Sequence, residues 1–161
     1  TLFPAEMLAV ISTLRASAYA GIGVALMLAS QLAFTHTLSW TVLLVPLWAL
    51  CFMAFLVGLT WFLSALGAFT RDVSYLMMTV SPLLLFATPV FFSNEVLPYP
   101  ISILIYANVL TGFVEIVRDL VFFGRLPGLG VSAWTFFVSV TMFWFGYWFF
   151  SRNRAGIADV L

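Results

Sequence analysis

From Trp40 to Phe69 the chain carries no charged side chain, and this run exceeds the roughly 20 apolar residues that cross a bilayer. Its length and uniform apolarity make lipid its natural solvent. Two further runs, Ala16 to Phe34 and Val131 to Phe150, have spanning length, and a shorter one covers Tyr75 to Phe92. Only 7% of the 161 residues are charged, against about 25% in a soluble domain whose surface faces water. Barrel strands would alternate over short segments, whereas these runs are continuous, so the spans are helices. The expected fold is all-α. It is a single polytopic membrane domain over 1–161, with four spans at about 16–34, 40–69, 75–92 and 131–150. The second span is long enough to tilt, bend near Pro46 or project beyond the membrane.

Several function classes drop out early. Formal net charge is zero, which argues against a nucleic-acid partner. There is no lysine, hence no Gly-rich phosphate loop ending in Lys-Ser or Lys-Thr, and nucleotide hydrolysis belongs elsewhere. Cys51 lies in an apolar run and reads as a small core or lipid-facing residue. His36 stands in the polar connector THTLS without a second ligand nearby, so no metal site is expected.

The segment NVLTGFVEIVRDLVFFGR, Asn108 to Arg125, holds Glu115, Arg118, Asp119 and Arg125 inside an apolar run. Positive charges concentrate on the cytoplasmic side. Arg15, Arg71, Arg152 and Arg154 all share one side only if Ile101 to Phe123 does not span. Insertion energetics are close to balanced. Apolar residues contribute roughly −0.3 to −0.6 kcal/mol each, while Arg or Asp at a helix centre costs about 2.5 to 3.5. The side count therefore decides for a re-entrant hairpin over about 98–124 on the outer face. Pro98 and Pro100 introduce it, and Asn108, Thr111 and Gly112 supply its turn. Glu115, Arg118 and Asp119 fall on one helical face. They read either as a functional site at membrane depth or as an interfacial salt-bridge network.

Ser17, Gly21, Ala25 and Ala29 recur every four residues along the first span, a spacing that brings helix backbones close within one subunit or between two copies. The last span is crowded with rings from Trp134 to Phe150, expected as an interfacial aromatic belt. Some of these rings, or Tyr99 and Tyr106, could alternatively stack on sugars.

In their order and spacing, RDVSYL, SPLLLFATPVFF and LPYPISILIYANVLTGFVEIVRDLVFFGRLPG resemble the membrane subunits of type-2 ABC exporters of polysaccharides. The closing SRNRAGIADVL is similar to their cytoplasmic C-terminus, and LFPAEML to the segment after their second span. The resemblance covers essentially the whole chain. It implies a homodimeric permease of the bacterial inner membrane, with the C-terminus cytoplasmic, moving lipid-linked O-antigen, capsule or teichoic acid. Two separate ATP-binding subunits would hold ATP and Mg, leaving this chain without a cofactor and without enzymatic activity of its own. It implies that the hairpin forms outer-gate helices carrying Asn108, Thr111, Glu115, Arg118 and Asp119. Pro4, Glu6, Arg71 and Asp72 would then couple to the ATPase, although Arg71 and Asp72 read first as a positive-inside anchor with a counter-charge.

There are two departures. The amphipathic helix and first two spans of the family are absent, so an N-terminal portion is expected to be missing. Asn108-Val109-Leu110-Thr111 stands where relatives often read Asn-Pro-Leu-Thr. Rival readings are a permease for a drug or lipo-oligosaccharide, a membrane-embedded transferase acting on lipid-linked sugars, and an assembly subunit. The transferase ranks low because the few acidic residues form no metal-type motif.

Overall fold

The computed structural model describes residues 5–70, 72–90, 105 and 108–158, all-helical apart from short connectors. Helix α1 covers Ala5–Thr35, α2 Val45–Phe69, α3 Asp72–Ala87, α4 Val109–Arg118 and α5 Leu129–Ala158. A 3-10 turn, Trp40–Leu44, leads into α2, and α4 runs directly into a π-helical turn, Asp119–Phe123. Among the described residues, three segments are long and apolar enough to cross a membrane: Met7–Phe34, Trp40–Phe69 and Leu129–Arg154. This is a helical membrane protein.

Local chemistry sets the ends. His36 adopts φ 55° and its N–H reaches Leu32 O at 3.0 Å, closing α1 with a left-handed cap. Pro46 falls in the first turn of α2, where its missing N–H costs nothing; the anticipated bend becomes a 3-10 entry. Arg15 lies exposed within a helix that starts eleven residues earlier than the expected span, at Ala5 rather than Ala16.

The third expected span is not confirmed. The expected stretch 75–92 is a helix of 16 residues that stops at Ala87, shorter than a bilayer needs. Thr88 precedes Pro89, and a residue before proline is biased away from the helical region, which favours the stop there, although the helix carries through Ser81 and Pro82. Residues 91 and 92 lie outside the described residues, as do 98–104, 106 and 107 of the expected hairpin, with Tyr99 and Tyr106 among them. Among the described residues the count is three candidate spans and one short apolar helix.

Helices α2 and α5 run side by side in the same direction. Val131 packs beside Val45 at one end, and Phe150 with Trp61 and Ala65 at the other. Between these ends Gly58 and Gly146 meet backbone to backbone. A Cβ on Gly58 would overlap Met142 O, and one on Gly146 would overlap Gly58 O. Trp61 sits 5.4 Å from both Phe143 and Tyr147, and Phe62 lies 5.5 and 5.1 Å from Phe145 and Phe149. Half of the expected aromatic belt is therefore interhelix packing, in tilted geometries that favour ring pairs. Trp134, Phe136, Phe137, Trp144 and Trp148 stay exposed.

Helix α1 runs antiparallel to this pair. Ala9 joins the Trp61–Ala65–Phe150 cluster, and Val24, Met27 and Leu28 reach the opposite cluster of Val45, Ile116, Leu120 and Val121. Helix α4 is also antiparallel to α2. Near its start Phe113 lies 4.7 Å from Phe52 and 6.2 Å from Phe55, and after it Thr41 Oγ1 donates to Leu120 O at 2.6 Å. It begins partway along α2 and emerges at the connector end.

Candidate functional site

Helix α4 is two-faced. Phe113, Ile116 and Leu120, at helical spacing, are buried against α1 and α2. Asn108, Thr111, Glu115 and Arg118 recur at the same spacing on the other face. That second face meets the C-terminal end of α3. Asn108 caps α4, its Oδ1 accepting from Leu110 N at 3.1 Å, while its Nδ2 donates to Thr88 Oγ1 at 3.0 Å. Thr88 Oγ1 donates in turn to Leu84 O at 2.7 Å. The Arg118 guanidinium donates to Pro89 O at 2.6 Å and Val90 O at 3.5 Å. A cation thus rests on carbonyls at the negative end of the α3 dipole, a favourable placement.

Helix α3 is held mainly at its ends. Val73 is buried at its base, and the Thr88–Val90 end is tied to α4 by these polar contacts. Along the stretch between them Tyr75, Met78, Leu83 and Phe86 are exposed. Beside the junction, Thr111 and Thr135 are fully buried, and neither hydroxyl has a hydrogen-bond partner. Each such group costs about 1–3 kcal/mol. Gly112 lets α4 approach α5 there, because a Cβ would overlap Thr135 Oγ1.

The charges pair differently from the shared-face expectation. Asp119 binds Arg125 at 2.8 Å across the π turn, whereas Arg118 reaches back to α3. Gly124, at φ 61°, ends the turn, and Arg125 stacks 4.8 Å over the Phe123 ring. The structure brings Asn108 and Arg118 together at the α3 end, places Thr111 in the packed interior and leaves Glu115 half-buried on the same face.

The other expected groups are dispersed. Asp72 opens α3, exposed, where an acidic residue suits the helix dipole. Pro4 and Arg71 lie outside the described residues, as does the side chain of Glu6. The row of small residues does not pack within the chain: Gly21, Ala25 and Ala29 are exposed, a Cβ on Gly21 would meet nothing, and Ser17 Oγ donates to Thr13 O at 2.8 Å. The packed stripe of α1 is instead Ala9, Val10, Val24, Met27 and Leu28. Among the described residues no His, Cys, Asp and Glu cluster could hold a metal ion.

Thr88 and Thr135 escaped the sequence reading, and Arg125 entered it as a charge without its partner Asp119. Thr88 could have been found from the proline after it. Thr135 sits in a uniformly apolar run with no local signal. Neither a known protein family nor a curated protein matches the chain.

Proposed function

We propose that this chain is the membrane-spanning subunit of an ATP-driven type-2 exporter of lipid-linked polysaccharide, with α4 as part of its outer gate. The observation that carries the reading is the two-faced α4. Its apolar side is buried in the bundle from the depth of Phe52 outward, and its Asn108–Arg118 side meets the broken end of α3. Polar and charged groups at membrane depth are expensive and are kept where they line a pathway. Helices that end within the membrane recur at transporter sites, their backbone and dipoles serving the passing ligand.

In this reading residues 98–124 form a re-entrant hairpin whose outward arm is α4. A fourth crossing over about 75–92 belongs to this reading, with residues 91 and 92 outside the described residues. Arg15, Arg152 and Arg154 mark the cytoplasmic side, and Trp40 and Gly124 the outer side. Two copies enclose the glycan path, and two ATP-binding subunits dock near Asp72. The substrate is the O-antigen, capsule or teichoic-acid class.

Two measurements test this. Co-expression with an ATP-binding cassette subunit should yield a stable complex that moves lipid-linked glycan in vesicles. Glu115→Gln with Arg118→Gln should then leave assembly intact but raise resting leak or lower export at least tenfold. Unchanged leak and export would remove the gate, and failure of any ATPase to co-purify would remove the exporter.

A further inference from the structure

A cavity of about 370 Å³ opens at the connector end of the bundle, toward the small end of the roughly 300–1,000 Å³ range of ligand clefts. Its walls include Gln31 from α1, Thr37 and Ser39 from the connector, and Phe122, Phe123 and Gly124 from the π turn. The wall is more polar than apolar, which suits neither an acyl chain nor a purely apolar packing defect. It offers an amide, two hydroxyls and two rings, with Phe122 51% and Phe123 60% exposed. Arg125 lies over the Phe123 ring and orients it.

The wall is held in this shape. Thr41 Oγ1 fixes Leu120 O, Asp119 pairs with Arg125 across the π turn, and Gly124 permits the left-handed exit beside Ser39. A Cβ at Gly124 would come within 2.8 Å of Ser39 Oγ. The π turn ends the helix at left-handed Gly124, a common way for a helix to stop, and this ending faces the cavity.

We propose that this cavity is a subsite for one pyranose unit of the exported glycan. A pyranose has an apolar C–H face, which stacks on an aromatic ring, and hydroxyls at its edge, which pair with amides and hydroxyls. Phe122 and Phe123 supply the first contact, and Gln31, Thr37 and Ser39 the second. The proposal rests on the polysaccharide-exporter reading for its substrate class, and the cavity itself supplies the place.

The full chain in lipid nanodiscs, probed by saturation-transfer NMR with a set of methyl pyranosides, tests it. At least one pyranoside should receive saturation at its ring C–H protons. That signal should fall at least fivefold in Phe122→Ala/Phe123→Ala and in Ser39→Ala, and should persist in Phe123→Tyr. Both rings are more than half exposed, so their removal leaves the bundle standing, and an unchanged circular dichroism spectrum checks this. The subsite is overturned if no pyranoside is saturated, if the ring and Ser39 variants saturate as wild type, or if glycerol phosphate, a lipid headgroup mimic, displaces the sugar completely at equal concentration. The two readings fail separately. An ATPase complex that exports glycan without pyranoside saturation removes the subsite alone. Saturation without any ATPase partner removes the exporter alone.

Discussion

The seam between α2 and α5 and the junction between α3 and α4 are built from opposite materials. At the seam, two glycines let backbones touch, and four aromatic pairs link Trp61 and Phe62 to α5 over the following turns. At the junction, one helix stops short. An arginine and an asparagine hold its end, and two buried hydroxyls nearby go unpaired. Without a hydrophobic force between helices in lipid, close packing is what binds one helix to another. The seam has that and the junction does not. The seam is a fixed scaffold, and the junction is held by a few directional contacts that can be exchanged.

Substitutions should separate the two regions. The largest effect is expected at the seam: Gly58→Leu or Gly146→Leu places a side chain where backbone lies, costing at least about 3 kcal/mol. Thermal unfolding in detergent should show a collapsed or absent transition, whereas Gly21→Leu should stay within about 0.5 kcal/mol of wild type. Equal effects at Gly58 and Gly21 would erase the distinction between packed and open glycines. Next, Arg118→Leu removes the tie between α4 and α3. Hydrogen exchange should rise about tenfold in α4, equivalent to roughly 1.4 kcal/mol, and remain unchanged in the middle of α2 and α5. A uniform rise would mean that junction and seam open together. Replacing both Thr111 and Thr135 by Val removes two unpaired hydroxyls, and unfolding should shift upward by about 1 kcal/mol or more. A loss of stability would show those hydroxyls to be partnered in the membrane. The smallest change belongs to Asp119→Asn. Its partner Arg125 is 60% exposed, so about 0.2–1 kcal/mol is expected, shrinking as salt is raised.

The seam and the junction also differ in how legible they are in the sequence. The limits of the second span, Trp40 and Phe69, emerge unchanged because an uninterrupted apolar run leaves lipid as the only solvent. The inward end of the third span could not be placed by hydropathy alone. Leu83 to Phe92 reads as continuous, and the helix stops before Thr88-Pro89 after passing through Ser81-Pro82, so a proline alone does not mark the end. Regular spacing of small residues does not mark the packing within this chain. Of the regular row, Gly21, Ala25 and Ala29 are exposed and Ser17 is half-buried, while Gly58 and Gly146, isolated in their runs, form the tightest crossing. A glycine's use depends on what faces it, and that information lies in another helix. The charges of α4 were recognisable as a group, but their partners were not. Asp119 found Arg125 across a π turn that no periodicity announces, and Arg118 found carbonyls rather than a carboxylate.

That α2 and α5 point the same way has a consequence for how the protein is made. Parallel neighbours cannot be joined by a short hairpin, so the intervening chain must travel back before α5 can be threaded. During synthesis α2 therefore enters the bilayer with its glycine notch and Trp61 unmatched, and waits for a partner the ribosome has yet to emit. Such a delayed mate is the kind of exposed intermediate that invites wrong pairings.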